Sequence, residues 1–332
     1  MKSTIKFLSL CLFVVTMSLS IGGCDKDKPT PPTPPGPVVP PNPTPEPTPE
    51  PTPEPEIPKA TASWPTKVEL LMAEGHMHGS LFHANPHSKD FPFKKIQRMT
   101  LELKGDKYER TDGEDVFRLS GGAVWCIIAN LFDKNGNRIN TQFLTKENEK
   151  LCQMFISTSN VKNFKTGASL NISSGVPLAP FGYRDTDPED KLLQRKSDAV
   201  KLTHSNVGLK GYFVDLQASA DPTEENRGGG IIREYLSFNL NLSFVKFATP
   251  EEKTSGGSVR PGLDIEGPRK AKEYLFYLSV PTKILVMRPW NDAQESQYIK
   301  DIAEEYGLDE EKVAEAWEEY GDIDIESNNF YV

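Results

Sequence analysis

The chain lacks the patterns that mark common enzymes and nucleic-acid-binding proteins. It has only four cysteines and five histidines among 332 residues. Neither His-Glu-x-x-His nor Gly-x-Ser-x-Gly occurs, so the signatures of zinc proteases and of nucleophile-elbow hydrolases are absent. The formal charge is −9, and no basic patch of the nucleic-acid-binding type is visible. These absences argue against a nucleic-acid partner and favour binding over catalysis.

Residues 1–24 have the organisation of an export signal. Lys2 and Lys6 give a positive start, and an apolar stretch follows from Phe7 to Leu19. A transmembrane helix needs about 20 apolar residues, so this stretch is too short to span a bilayer. The segment ends in Ile21-Gly-Gly-Cys24, which resembles the lipobox of bacterial lipoproteins. We expect Cys24 to be acylated and to anchor the chain in the membrane; the alternative is an ordinary signal with an incidental cysteine.

Residues 25–58 form a proline-rich segment with no apolar periodicity. Sixteen of the 28 prolines lie between Pro29 and Pro58, and Thr-Pro-Glu-Pro occurs three times in tandem from Thr44. Proline removes the amide donor and fixes φ, so the sequence predicts a disordered, extended polyproline II spacer. Thirty such residues reach about 90 Å. That reach favours a receptor or binding domain at the cell surface, whereas a proline-rich ligand for a partner module is the alternative.

Residues 59–290 are predicted to form an antiparallel β-sandwich, which makes the chain mainly β. The stretch Leu236–Phe244 alternates strictly between apolar and polar residues, as a half-buried strand does. An Asn135-Gly136 turn between Ile127–Phe132 and Ile139–Leu144 predicts a hairpin. A calcium loop starting at Asp133 would need an acid at position 144, where the chain has leucine.

Six further segments have the composition of strands, and the pattern contains no helix between them. The segments 160–205 and 218–230 are predicted to be loops. The further strand candidates are Lys67–Met72, Ile96–Leu103, Leu151–Ser157, Leu209–Leu216, Tyr274–Val280 and Thr282–Met287.

Residues 291–332 differ from the rest in charge and periodicity. From Asp292 to the end there are fourteen acids and two lysines. The apolar stripes predict two helices, one closed by Gly307 and the next capped by Asp309. The alternation in Asp322–Glu326 predicts a last strand, whose acids either hold calcium or keep an edge solvated. We expect this acidic helical pair to pack on the sandwich, with a partner-binding surface as the alternative.

Two cysteines remain once Cys11 and Cys24 are assigned to the signal and the anchor. Cys126 and Cys152 both lie in apolar, strand-like runs. Export would permit a disulfide between them, whereas their surroundings suit two buried free thiols. Sequence spacing cannot decide between these alternatives.

Four of the five histidines lie within twelve residues, in a segment that begins with Glu74. If the strand from Lys67 continues, alternate residues share a face, so Glu74, His76 and His78 are brought together. A short loop can return His83 and His87 over the same face. Imidazoles with a carboxylate suit zinc, copper or iron, and a histidine pair suits haem iron. The alternative is that these are surface or structural histidines.

Three segments give a family resemblance over roughly residues 66–247. They are Glu74-Gly-His-Met-His-Gly79 with Phe82-His83, Leu131-Phe-Asp-Lys-Asn-Gly136, and Val207-Gly-Leu-Lys-Gly-Tyr-Phe213. With the cysteine at 24 and the spacer, they resemble cell-surface lipoproteins of the Bacteroidota and a β-sandwich family of that group that has no established activity. The resemblance implies an outer-membrane, lipid-anchored location. It also implies histidines where this chain has Cys152-Gln-Met-Phe155, so one potential ligand is absent here.

Three functions are compatible with this sequence. The first is a surface lipoprotein that binds a transition metal or haem, for uptake together with an outer-membrane transporter. The second is a carbohydrate-binding or adhesive sandwich, in which Trp125, Tyr183, Tyr212 and Trp290 would contact a glycan. The third is a metal-dependent hydrolase that uses the histidine cluster. The long spacer and the lack of a catalytic motif favour binding.

Overall fold

The alternating segments of the sequence form two β-sheets that enclose one apolar core. The computed structural model describes residues 65–78, 81–84, 92, 96–121, 123–170, 178–191, 199–202, 206–215, 235–287 and 292–319. All of them belong to the compact unit Pro55–Val332. The signal and lipobox, the spacer, Trp290 and the predicted strand Asp322–Glu326 lie outside the described residues.

Fifteen strands and two α-helices are present in the described residues. In chain order the strands are β1 (Lys67–His78), β2 (Leu81–Ala84), β3 (Ile96–Lys104), β4 (Lys107–Gly113), β5 (Phe117–Gly121), β6 (Val124–Phe132), β7 (Cys152–Asn163), β8 (Leu178–Tyr183), β9 (Thr186–Asp187), β10 (Val200–Lys201), β11 (Lys210–Asp215), β12 (Leu236–Lys246), β13 (Thr254–Ser255), β14 (Ser258–Val259) and β15 (Glu273–Met287). The helices are α1 (Asp292–Tyr306) and α2 (Glu310–Glu319).

The two large sheets have different strand orders. The seven-stranded sheet runs β4-β3-β1-β6-β11-β8, with β2 paired to β1 beyond the end of β3. The four-stranded sheet runs β5-β15-β12-β7. The pairs β9–β10 and β13–β14 form two small antiparallel ribbons. Pairing is antiparallel, as the sequence predicts, apart from β5 and β15, which run parallel at one edge of the four-stranded sheet.

One apolar core lies between the two large sheets and confirms the sandwich-like, mainly β architecture. Leu70 and Met72 of β1 belong to the same buried cluster as Leu240 of β12 and Phe276 of β15. Every second residue of Leu236–Phe244 is buried there, as the alternation predicts. The opposite face of the seven-stranded sheet carries a smaller cluster, in which Phe82 stacks on Tyr212 at 4.9 Å between ring centroids.

The predicted hairpin after β6 is correct at its turn and wrong in its second strand. The Asp133 carboxylate accepts hydrogen bonds from the amides of Asn135 and Asn137, both at 2.8 Å. Residues Asn140–Phe143 then form a 3₁₀ turn rather than a strand. The Asn140 side chain replaces the missing strand, because it bonds the amide of Leu131 and the carbonyl of Ala129 at 2.7 and 2.8 Å.

Two other predicted boundaries also differ from the structure. Tyr274–Val280 and Thr282–Met287 are one strand, β15, which continues through Pro281. The missing amide of Pro281 is tolerated because β5 pairs with β15 only from Thr282 onward. The predicted loop 160–205 contains β8, β9 and β10.

Helices α1 and α2 have the apolar faces and the termini that the sequence predicts. Gly307 has a φ of 62°, and the amide of Glu311 donates to the Asp309 carboxylate at 2.9 Å, as a helix cap does. Tyr298, Ile302 and Val313 form a buried cluster with Phe164 and Tyr235 of the sandwich side. Ion pairs of Lys165 with Asp301, and of Lys283 and Arg118 with Glu305, also join α1 to the sandwich. The pair therefore packs on the sandwich.

Candidate functional site

The β1–β2 hairpin brings two of the clustered histidines into register. The Cα partners are Gly75 with Ala84, His76 with His83, Met77 with Phe82 and His78 with Leu81. Alternate residues of a strand share a face, so Glu74, His76 and His78 occupy one face of β1. The chain therefore returns His83 beside His76 in a strand that pairs within the sheet, whereas the sequence led us to expect a loop over the face of β1.

Glu74 lies at the end of the core, between the two sheets. It follows Leu70 and Met72 on the inner face of β1, is 1% exposed, and has Trp125 of β6 as its register partner. A buried carboxylate needs hydrogen bonds to offset the loss of water. The Ser120 hydroxyl of β5 donates to Glu74 Oε2 at 2.6 Å. The two sheets thus hold this carboxylate jointly.

Trp125 makes a hydrogen bond to Ser120, the residue that donates to Glu74. Its indole Nε1 donates to the Ser120 carbonyl at 3.4 Å, and its side chain is fully buried. The indole therefore packs against the segment that orients the Glu74 carboxylate. An outer contact of this kind is typical of sites in which a carboxylate must keep one orientation.

The five predicted metal-site residues differ in what the structure describes of them. Glu74 is described completely, whereas His76, His78 and His83 are described by their backbone register. His87 lies outside the described residues. Among the side chains that the structure describes, no group of three or more His, Cys, Asp or Glu residues could hold a metal ion.

The two cysteines are free and buried, so the disulfide alternative is wrong. Cys126 belongs to the outer-face cluster of the seven-stranded sheet, whereas Cys152 belongs to the core between the sheets. Burial raises the pKa of the Cys126 thiol far above its usual range, and it raises the pKa of Cys152 to about 11. Both groups are therefore protonated near neutral pH and are poor metal ligands.

The aromatic residues expected for a carbohydrate site do not face solvent in the described part of the chain. Trp125, Tyr183 and Tyr212 are 0%, 9% and 5% exposed. The Tyr183 hydroxyl donates to the Met154 carbonyl at 2.9 Å and accepts from Gln153 at 2.7 Å. Its role is structural, and burial raises its pKa well above the usual value. A sugar cannot stack on these three rings.

Sequence reasoning missed a buried charged cluster that begins beside the middle of β6, where Lys210 pairs with Ile128, and extends toward the Phe132 end. Lys210 of β11 is 1% exposed, and its ammonium donates to the Thr186 hydroxyl at 2.8 Å and to the carbonyls of Glu189 and Lys191. Burial lowers the Lys210 pKa, while Glu189 and Asp185 oppose this effect. A lysine within the apolar run Val207–Phe213 was the one signal in the sequence that could have revealed it.

Asp185 and Arg138 complete this cluster. The Asp185 carboxylate accepts from the amides of Val207 and Gly208 at 2.9 and 2.8 Å. Arg138 donates to Glu189 Oε1 at 2.7 Å and to Asn130 Oδ1 at 2.9 Å. Burial raises the Glu189 pKa, and the two cations lower it in part.

Comparison with family models, with curated proteins and with solved structures finds no match. In the part of the chain that the structure describes, no helix combines the length and apolar character needed to cross a bilayer. The site's geometry therefore has to support any proposal without help from a relative.

Proposed function

We propose that this chain is an exported, outer-membrane lipoprotein whose sandwich domain binds a transition metal or haem iron at the β1–β2 hairpin. His76 and His83 are the central ligand pair, and Glu74 and His78 complete the set from the same strand. The observation that carries the proposal is the pairing of His76 with His83 across the hairpin.

Cross-strand register supports a shared ion. Residues that face each other on antiparallel strands have Cβ atoms about 4.5–5.5 Å apart. Imidazole nitrogens bind Zn²⁺ at about 2.0–2.1 Å, so two ligands of one ion must come from closely neighbouring positions. Paired histidines on one hairpin meet this requirement, and no long loop between them has to become ordered when the ion binds.

Glu74 adds a carboxylate that the protein already orients. The Ser120 hydroxyl donates to Glu74 Oε2 at 2.6 Å and so orients the carboxylate beside the hairpin. Outer contacts of this kind raise ligand basicity and fix geometry, and their loss commonly lowers metal affinity by about 10–100-fold. The buried Trp125 beside Glu74 also gives a fluorescence signal near the site.

Titration of the full chain in mild detergent with Zn²⁺, Cu²⁺, Fe²⁺ or haem tests the proposal. We expect one of the four to bind more tightly than about 1 μM and to raise the melting temperature with concentration. His76→Ala with His83→Ala should weaken binding at least tenfold. His204→Ala, which changes the one histidine outside the cluster, is the matched control and should bind normally.

The pH dependence separates histidine ligation from nonspecific binding. Ligating imidazoles must be neutral, so affinity should fall as the pH drops below about 6.5, the ordinary histidine pKa. Binding weaker than micromolar for all four ligands would contradict the proposal. Equal binding by the double variant would also contradict it, because the hairpin pair would then not be the site.

The membrane anchor has a separate test. Cys24→Ala removes the sulfur that would carry the lipid, so the variant should move from the detergent phase to the aqueous phase in phase partition. Cys11→Ala lies within the predicted signal and serves as the control, since its product should partition as the parent does. An unchanged detergent-phase fraction in Cys24→Ala would refute lipidation at this residue.

A further inference from the structure

A groove of about 570 Å³ lies at the end of the seven-stranded sheet opposite the histidine hairpin. That volume is within the range of about 300–1,000 Å³ found for small-molecule sites. One wall contains Asn140, Thr141 and Leu144, and the other contains Thr186, Asp187 and Asp190. The hairpin adjoins the Val124 end of β6 and the groove follows its Phe132 end. Nine residues of strand make these ends roughly 27 Å apart.

The first wall is fixed to β6 by buried polar groups. Asn140 is 1% exposed and bonds both Leu131 and Ala129 through its side chain. Arg138, which also lines the groove, bonds Asn130 of β6 on one side and Glu189 of the facing wall on the other. The two walls are therefore tied to each other across the floor.

The second wall is fixed by the buried cluster around Lys210. The ammonium of Lys210 bonds Thr186 and the carbonyls of Glu189 and Lys191, so it holds the whole segment 186–191 against β11. These hydrogen bonds from one buried ammonium fix three points of the segment relative to β11. A preformed groove binds its ligand without the entropic cost of ordering a loop.

Acceptors predominate among the exposed groups of the lining, since the Arg138 guanidinium donates to Asn130 and Glu189. Asp187 and Asp190 are exposed carboxylates, which accept only, and the hydroxyls of Thr141 and Thr145 both donate and accept. Leu144, Pro188 and Leu202 add apolar surface between the polar groups. The complementary ligand carries many hydroxyl donors, exposes C–H faces and has no negative charge, since carboxylates would repel an anion.

From these features we propose that the groove binds a neutral carbohydrate. This site is independent of the hairpin and of its metal. The sugar hydroxyls donate to Asp187 and Asp190, and the C–H faces of the rings lie on Leu144 and Leu202. Recognition here uses carboxylates and aliphatic side chains in place of the aromatic residues that the fold buries.

Affinity electrophoresis of the full chain in gels that contain a polysaccharide tests the proposal. The neutral probes are dextran, laminarin, galactomannan and xylan, and the acidic probe is polygalacturonate. We expect retardation by at least one neutral probe and none by polygalacturonate. Asp187→Asn with Asp190→Asn should reduce that retardation at least tenfold in apparent affinity, because an amide accepts fewer hydrogen bonds than a carboxylate.

The matched control is Asp106→Asn with Asp112→Asn, which changes two exposed acids on and beside β4. It should migrate as the parent does, and both double variants should melt as the parent does because all four acids are exposed. Absence of retardation by every neutral probe would overturn the proposal. So would equal retardation of the Asp187 and Asp190 variant, retardation by polygalacturonate alone, or binding of spermidine in place of sugar.

Discussion

The two ends of β6 place charge in the interior in different ways. At the Val124 end the buried carboxylate of Glu74 accepts from the neutral hydroxyl of Ser120. From the middle of β6 to its Phe132 end, cations and anions compensate one another, with Arg138 bonded to Glu189 and Lys210 next to Asp185 and Glu189. The buried ion pair of Arg138 with Glu189 holds the groove wall to the sheet, whereas the Ser120 hydroxyl orients the Glu74 carboxylate between the two sheets. This difference is why we assign the metal to the hairpin end and a neutral ligand to the groove end.

Removal of the Lys210 charge should have the largest effect on stability. Lys210→Met leaves Thr186 and the carbonyls of Glu189 and Lys191 without their buried donor. Breaking a buried ionic cluster at one member typically costs about 3–5 kcal/mol in the free energy of unfolding. Urea denaturation of the full chain would measure the loss.

Lys107→Met, an exposed substitution on β4, is the control and should stay within about 0.5 kcal/mol of the parent. In conditions where Lys210→Met is folded, its metal affinity should equal that of the parent, because Lys210 lies at the register of Ile128 and Leu71, five residues along β1 from His76. A loss under about 1 kcal/mol would show that the cluster does not fix the wall.

Loss of the Ser120 hydroxyl should have a smaller effect on stability and a clear effect on binding. Ser120→Ala removes the donor to the buried Glu74 carboxylate, which should cost about 1–2 kcal/mol. Metal affinity should fall about 10–100-fold, because the carboxylate loses its fixed orientation.

Ser237→Ala, on the four-stranded sheet, is the matched control and should keep full affinity. Calorimetric titration with the metal that the parent binds most tightly gives the comparison. If Ser120→Ala binds as tightly as the parent, Glu74 is not a ligand and the histidines bind without it.

The fold could be predicted where a strand has one buried and one polar face. The alternation in Leu236–Phe244 identifies β12 with its inward residues, and the stripes of α1 and α2 identify the helical pair. The prediction fails at Ile139–Leu144, where the residues favour a strand but the chain forms a 3₁₀ turn. Asn140 makes the two bonds to β6 that a partner strand would make, and no local pattern reveals this substitution.

The histidine hairpin and the Lys210 cluster also differ in how far the sequence predicts them. His76 and His83 are seven positions apart, so a short loop suffices to predict the return of His83, whereas its pairing with His76 in a hairpin is seen only in the structure. Lys210 reads as a solvent-facing residue in an alternating strand. It is buried because residues 186–191, about twenty positions earlier, fold over it. Long-range covering of this kind leaves no periodic trace in the sequence.

Lys253 gives the smallest expected effect and tests whether the charges near Asp185 are held at a cost. Its ammonium is buried, donates to the carbonyls of Glu149 and Cys152, and has its pKa lowered to about 8 by burial. The unfolded chain keeps the ordinary lysine pKa of about 10.4. Between these values the unfolded state binds more protons than the folded state, so this group makes the fold more stable as the pH rises from 8 toward 10.4. Below pH 8 the free-energy cost of burying the protonated Lys253 ammonium is fully present.

Lys253→Met isolates this contribution, because the variant keeps the other groups that titrate in the same range, such as Cys152. The unfolding free energy of the parent minus that of the variant should increase by about 1 kcal/mol between pH 7 and pH 9. Lys270→Met, an exposed change, should show no such increase. Urea denaturation at both pH values measures the difference. A difference that stays constant, or that decreases with pH, would mean that the Lys253 ammonium is not held at a cost.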